Sequence, residues 1–575
     1  MNLGMLRRKA KQEEDLSSPP SPSQPKSPLP PALLPSSPPL PSPLHHARVF
    51  LRESLLFPLM SMYFVMLLIN TILRDTKDTM LVNSVAGVAA IPILKSWITI
   101  PTSFAFFVVY SKLIHSPWFS TRGKFVIILF SFAGFFTVFA LMVYPLRKYI
   151  SPRIWAQSIR IHSYNNRGMD TFVSTLEEWT LGLFYIVCEL WSSAVCQLLF
   201  WSVANDVMTI REAKEIYPII GAMGNFGLVV AGRLLLTFAD RRDVDSARAY
   251  LYVIDQHHDQ IKNSSPIRNE HFIMDPLETG WAGTLFMIAV LVCIGSVFIT
   301  VCYDDVYRRQ RLYHTLLKRE EIKQEEDIRE GKREHSMTMG EAVQFLYHSK
   351  PLRLVTILVA SYGISSSLIE VSWKGQVKLA FESSGEYSRF MGSFWTWTGL
   401  SSMACMILSR AMLQRLGYRV AVMFTPFVML CAGGLFFTVA VSVALGNQEE
   451  ENTKLNIAAY AGAIAVLVSK SAKYAVFDAT KEMVFIPLDE ESRSVGKAAI
   501  DVVAYRLSKS GGSFVLQFVL LTFGNLEGSG LGPIGCLFLV ILLAWMHTAY
   551  ETGKMVHEAQ CTEALILPPS MIQEA

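Results

Sequence analysis

Trp281 to Cys302 reads WAGTLFMIAVLVCIGSVFITVC, a run with no Asp, Glu, Lys, Arg or His. A helix of about 20 such residues, rising 1.5 Å each, crosses the roughly 30 Å hydrocarbon core of a bilayer. A helix in a soluble protein keeps one polar face, and this run has none. Working outward, runs of the same kind recur along the chain, with approximate limits 54–73, 88–110, 124–145, 179–204, 215–238, 281–302, 353–373, 391–409, 420–445, 456–477, 498–523 and 531–550. Over 575 residues, 51% are hydrophobic and 17% charged, with a mean hydropathy of +0.32. A set of soluble domains is excluded, and the fold class is an all-α membrane protein with about twelve transmembrane helices.

Between these runs the composition changes sharply. Residues 1–46 hold Ser17-Ser18-Pro19-Pro20 and Ser36-Ser37-Pro38-Pro39 and read as a disordered Pro/Ser-rich tail. It lacks an apolar core and carries Glu13, Glu14 and Asp15, unlike a secretory signal or an acid-free transit peptide. Residues 303–350 include Lys318-Arg319-Glu320-Glu321 and form a charged linker between a six-helix half at 47–302 and a second at 351–552, followed by a C-terminal tail at 553–575. Lys112, Arg122, Lys124, Arg211, Lys214, Arg410, Arg415 and Arg419 fall on the linker's side, which the positive-inside bias places in the cytosol or its equivalent. Two loops on the opposite side, about 146–178 and 240–280, are long, and the second carries the sequon Asn263-Ser264-Ser265. A faint echo relates Ala213-Lys214-Glu215-Ile216 and Gly224-Asn225-Phe226-Gly227 to Gly496-Lys497-Ala498-Ala499 and Ser510-Gly511-Gly512, as in a duplicated six-plus-six plan whose halves rock about a midplane site.

The net charge of +4 gives no argument for nucleic acid. Seven of the eight cysteines (Cys188, Cys196, Cys293, Cys302, Cys405, Cys431, Cys536) sit in or beside apolar runs with no CxxC or Cys/His spacing, so neither disulfides nor a metal site is expected. There is no GxxxxGK[ST] phosphate loop and no other catalytic device, so an enzyme or ATP-hydrolysing pump is disfavoured and no cofactor is implied.

An ionised side chain at bilayer depth is retained only where it meets water, protein or ligand, so each is a functional candidate. Arg74 and Lys77 stand at the end of the first run, Lys95 in the second, Glu189 in the fourth, Glu370 and Lys374 in the seventh, Lys470 and Lys473 in the tenth, and Lys497, Asp501, Arg506 and Lys509 in the eleventh. Glu370 with Lys374, and Lys497 with Asp501, are spaced i,i+4 and each pair is able to neutralise itself. The remaining surplus is positive. A cavity lined by Lys and Arg attracts an anion, and phosphate oxygens satisfy such groups best. Glu189 is read as a partner for a lysine in one conformational state, a proton acceptor or a contact for base or ribose, with a static salt bridge as the structural alternative. Trp97, Trp191, Trp201 and Trp373 serve either purine stacking or, more ordinarily, packing and interfacial roles.

These same positions resemble the nucleotide transporter family of plastids, diatoms and intracellular bacteria, the ATP/ADP translocases unrelated to mitochondrial carriers. The resemblance spans about 55–550 and rests on Thr71-Ile72-Leu73-Arg74-Asp75-Thr76-Lys77-Asp78-Thr79, Ile91-Pro92-Ile93-Leu94-Lys95-Ser96-Trp97, Glu189-Leu190-Trp191, Glu370-Val371-Ser372-Trp373-Lys374, Ser469-Lys470-Ser471-Ala472-Lys473-Tyr474, Ile486-Pro487-Leu488-Asp489-Glu490 and Gly496-Lys497-Ala498-Ala499-Ile500-Asp501. It implies a major-facilitator-like fold, alternating access, and functional roles for Lys95, Glu189, Glu370 and Lys497. The sequence departs from the family at Ser367, where members often carry Asn, and at Ser393, where an acidic or amide residue is common; both bear on base preference and transport mode. The 240–280 loop is also longer than the family implies.

The expectation is a nucleotide transporter exchanging ATP and ADP, or related nucleotides, by alternating access. Lys95, Lys497, Arg74, Lys77, Lys374 and Lys473 are expected to hold phosphate, and Glu189, Glu370 and Asp501 to compensate charge or contact a proton or base. Proton-coupled net uptake is the rival within transport, and a transporter-like receptor or scaffold is the rival of another class. The lipid bilayer is the other partner, and a monomer is expected. The resemblance implies the plastid envelope, and the acidic tail leaves another organelle membrane or the cell surface open.

Overall fold

The computed structural model describes residues 43–162, 167–208, 210–263, 276–321, 349–381, 383–446, 451–484, 500 and 505–566. Most of the tail, most of the linker, Ser264 and Ser265 of the sequon, Lys497 and Asp501 lie outside the described residues. Residues 52–575 belong to one compact unit, and every regular element among its described residues is helical.

The helices are α1 (Pro43–Val82), α2 (90–115), α3 (Thr121–Ile150), α4 (Arg153–His162), α5 (Arg167–Glu177), α6 (179–207), α7 (Ile210–Asn263), α8 (Pro276–Glu321) and α9 (Lys350–Ala380). The run Ser384–Leu445 is broken at Gly417, whose φ of 71° lies in the left-handed region open to glycine, into α10 (384–416) and α11 (417–445). It is followed by α12 (451–483), α13 (Tyr505–Phe523) and α14 (Leu531–Ile566). Among the described residues ten helices are long and apolar enough to cross a bilayer. Of the other two expected spans, 391–409 falls within α10, and the described part of 498–523 is α13, whose apolar part, Ser510–Phe523, is shorter than a span.

The helices outrun the apolar limits read from sequence. α1 continues to Val82, α7 to Asn263, α8 to Glu321 and α14 to Ile566. Apolarity measures the hydrocarbon depth, whereas the hydrogen-bond ladder carries on into water wherever no Pro or Gly stops it. The loop expected at 146–178 contains two short helices, α4 and α5, and the start of the one expected at 240–280 is the end of α7.

With α1 leaving the tail side, alternation places the end of α1, the start of α2, the end of α7, the end of α9 and the start of α10 on the side opposite the linker, here the far side. α7 and α10 approach one another to backbone contact at Gly232 and Gly392. A Cβ on Gly232 would stand 2.6 Å from the Gly392 carbonyl oxygen, and one on Gly392 would stand 2.9 Å from the Gly232 carbonyl oxygen. Small residues let membrane helices approach to backbone contact, and dispersion then replaces the hydrophobic effect as the cohesive force. Gly392→Leu therefore drives the two helices apart. The expected result is a several-fold lower yield of monodisperse protein on size-exclusion chromatography, from an overpacking penalty of about 1–3 kcal/mol or more.

Candidate functional site

The sequence Arg74-Asp75-Thr76-Lys77-Asp78 lies within α1, so Arg74, Lys77 and Asp78 share one face by their i,i+3,i+4 spacing. Glu370 and Lys374 do the same on α9. These two faces meet. Arg74 donates to both Glu370 oxygens at 2.9 and 3.1 Å, and Lys374 Nζ donates to Glu370 Oε1 at 2.9 Å and to Asp78 Oδ2 at 2.6 Å. Lys77 Nζ donates to Asp78 Oδ1 at 2.7 Å and lies 3.1 Å from Glu189 Oε1 of α6. Lys470 of α12 completes the set, 3.4 Å from Glu370 Oε2. Charges thus alternate along Glu189, Lys77, Asp78, Lys374 and Glu370, with Arg74 and Lys470 at the end. Alternation of this kind is what lets ionised groups persist at bilayer depth, since each carboxylate and ammonium keeps a partner in place of water.

Aromatic faces line the same cluster. Lys77 Nζ lies 3.7 Å from the centroid of the Tyr185 ring, and the Trp395 ring is 5.4 Å from the Arg74 guanidinium and 5.3 Å from Lys470 Nζ. Asp75, on the flank of α1, accepts from Trp395 Nε1 at 2.8 Å.

Lys95 differs from the other cluster cations. It sits in a π-helical turn, Leu94–Thr99, half-buried, with no hydrogen bond or ion pair to any described residue. Similar π turns follow Glu189 on α6, at Ser192–Leu199, and Lys470 on α12, at Lys473–Phe477. Such turns widen the helix by one residue and re-aim its side chains, and they are frequent at functional sites. Lys473 lies a turn beyond Lys470, 4.0 Å from Asp478, with its Nζ 4.9 Å from the Tyr474 ring centroid.

Exposure falls along the cluster toward the far side. The Arg74 side chain is 38% exposed, whereas Lys77, Lys374 and Asp78, one turn farther from the linker, are 2%, 2% and 5% exposed. On the far side the first six spans are bonded to the last six. Lys378 donates to Asn83 Oδ1 at 2.7 Å, Arg242 to the Ser384 carbonyl at 2.6 Å, and Arg389 to Asp243 at 2.5 Å. Gln517 donates to the Pro92 carbonyl at 2.7 Å and to Ser96 Oγ, and it accepts from Trp97 Nε1. Nearer the linker, the described hydrogen bond between the two groups is the weak one from Asn225 to Met406 Sδ at 3.1 Å. Among the described residues these bonds tie the two groups of spans together on the far side.

Of the residues expected from sequence, Arg74, Lys77, Glu189, Glu370 and Lys374 come together, Lys95 is within electrostatic reach of Glu189 and Glu370, and Lys497 and Asp501 are outside the described residues. Trp191 and Trp373 are buried, and Trp373 Nε1 donates to the Ala459 carbonyl at 2.9 Å, a packing role. Asp78, Asp75 and Trp395 were not singled out. The signal for Asp78 was present in its spacing from Arg74 and Lys77, but it was masked by reading the charged pentad as the end of a span.

The sequence model of the TLC ATP/ADP transporter family matches residues 49–555. The chain is 36% identical to the chloroplastic ADP,ATP carrier protein 1 of Arabidopsis thaliana, over 89% of its own length and 75% of the relative's. It is 33% identical to ADP,ATP carrier protein 1 of Chlamydia muridarum, covering 87% of this chain and 88% of that one. Among solved structures, a bacterial homologue of the iron transporter ferroportin in its inward-facing state is similar at a TM-score of 0.48 and 13% identity, over 87% of this chain and 99% of that one.

Proposed function

We propose, from the premise that this chain belongs to the TLC ATP/ADP transporter family, that it is a multi-pass membrane transporter exchanging ATP and ADP by alternating access. It is a carrier and not an enzyme. The observation that supports the site is the alternating cluster of Arg74, Lys77, Asp78, Lys374, Glu370 and Lys470, with Lys95 within electrostatic reach of it and outside every described ion pair.

A nucleotide phosphate entering from the linker side meets Arg74 and Lys470 first and Lys95 deeper, beside the far-side residues Pro92 and Ser96. Lys95 binds without breaking an existing pair. Arg74 and Lys470 exchange a share of Glu370 for phosphate oxygens, which accept charge-assisted hydrogen bonds at least as well as a carboxylate. Lys473 and Lys497, both of the second half, extend the basic lining. Glu189, Glu370 and Asp501 balance the lysines when no nucleotide is bound. The two halves, 47–302 and 351–552, then rock about this level, and the far-side bonds part as others form nearer the linker. The chain works as a monomer in the bilayer, each half supplying its own share of the cations.

Binding of labelled ATP to the purified protein tests this reading. Unlabelled ATP and ADP are expected to displace the label, whereas adenosine, which lacks phosphate, is expected to leave it in place. Equal displacement by adenosine would move recognition from the phosphates to the base and overturn the assignment of the cations.

A further inference from the structure

Asp78 occupies a position that the transport reading does not yet use. It is the carboxylate that joins a lysine of the first six spans, Lys77 at 2.7 Å, to a lysine of the last six, Lys374 at 2.6 Å. All three side chains are nearly sealed from water. The pair stands one helical turn beyond Arg74 and Glu370 toward the far side, so it is the deepest ion pair within the cluster between the two groups of spans. Opening the far side separates α1 from α9, and the Asp78–Lys374 bond has to break for that to happen.

We propose that Asp78 is an internal stand-in for nucleotide phosphate: it holds Lys77 and Lys374 when the site is empty and gives them up to the phosphate oxygens when the site is loaded. A carboxylate and a phosphate offer ammonium groups the same kind of anionic oxygen, so one replaces the other with little change in the lysines' hydrogen bonding. Without a nucleotide, parting α1 from α9 breaks the Asp78–Lys374 and Arg74–Glu370 bonds with nothing to replace them, leaving Asp78 only Lys77 and Lys374 only Glu370 in a low-dielectric interior, and the empty carrier stays closed. With phosphate present, Lys374 keeps an anionic partner throughout. Asp78 is thereby a positioning residue that makes reorientation depend on cargo, and it also competes with the nucleotide for the lysines. The inference rests on the ATP/ADP exchange reading.

The test compares uptake of labelled ADP by proteoliposomes loaded with ADP and by proteoliposomes holding buffer alone. For Asp78→Asn the ratio of loaded to empty uptake is expected to fall at least about fivefold, the lower end of ordinary coupling between sites. Its KM for ADP is expected to fall as well, because the competing anion has gone. Lys77 retains Glu189 and Lys374 retains Glu370, so the variant keeps a paired cluster. Lys374→Gln removes the same bond from its other end. It is expected to lower the ratio similarly but to raise KM, since a phosphate-binding lysine is lost. Opposite shifts in KM with the same fall in ratio distinguish this role from a salt bridge that only stiffens the fold.

Lys378→Ala, which breaks the far-side bond to Asn83 outside the cluster, is expected to leave KM unchanged. An unchanged ratio in both cluster variants, or a KM that rises in Asp78→Asn, overturns the inference while leaving ATP/ADP exchange standing. A wild-type protein that exchanges no nucleotide overturns the exchange reading, and the inference falls with it.

Discussion

Lys95→Ala lowers the uptake of labelled ATP about tenfold to a hundredfold, with unfolding temperature and membrane insertion unchanged. A charge-assisted hydrogen bond to an anion contributes about 1.5–3 kcal/mol, and about 1.4 kcal/mol is a factor of ten. The separation of function from stability follows from the structure. Lys95 makes no hydrogen bond or ion pair with the described residues, so its removal strands no carboxylate. Lys374→Ala would not separate the two so cleanly, because Asp78 and Glu370 both lean on that ammonium. Lys95→Arg keeps the charge and is expected to retain much of the uptake. The measurement is initial uptake rate per unit of inserted protein, alongside thermal unfolding in detergent. Normal uptake by Lys95→Ala would remove Lys95 from the binding site.

Glu370→Gln is expected to have the opposite profile and the larger total effect. One carboxylate accepts from Arg74 and Lys374 and pairs with Lys470, so neutralising it leaves three buried or half-buried cations crowded together. Breaking a buried pair by removing one partner destabilises by about 3–5 kcal/mol. Unfolding temperature should drop by several degrees and uptake should fall beyond about a hundredfold. Adding Lys374→Met to Glu370→Gln takes out one of the excess charges. It should recover part of the unfolding temperature without recovering uptake, because the phosphate ligands are not restored. Wild-type stability in Glu370→Gln would mean that Glu370 does not anchor the cluster.

These two residues also show what the sequence reveals and what it hides. Lys95 and Glu370 stand inside apolar runs, where the energetic penalty of a charge makes them conspicuous without any coordinates. Glu189 is legible for the same reason; it pairs with Lys77, a geometry that both its expected role as a lysine partner and the static salt bridge share. Asp78 was not legible, because the first span was expected to end at 73, where its apolar run stops. In fact α1 continues to Val82, and its charged stretch stays buried because Lys374 and Glu370 from α9 satisfy it. Hydropathy sees one helix at a time and assigns such a stretch to water; the compensating charges are 296 positions away in the chain. The far-side clasp of Gln517 with Pro92, Ser96 and Trp97 was hidden for a related reason. A lone glutamine near the end of a span carries no signal until the facing helix is in place. By contrast, ten of the expected spans and their order are legible in apolar run lengths, with their polar ends underestimated.

The central claim is that intramembrane cations carry ATP and ADP across the bilayer in exchange for one another. It is tested most directly by reconstituting the full chain into liposomes loaded with ADP, with inorganic phosphate or with buffer alone, and following labelled ATP. Uptake into ADP-loaded liposomes is predicted to exceed that into buffer-filled ones by on the order of tenfold or more, with Lys95→Ala near the buffer-filled level. Equal uptake into empty liposomes, driven by a pH gradient or not, would contradict exchange, and no uptake into ADP-loaded liposomes would contradict nucleotide transport itself.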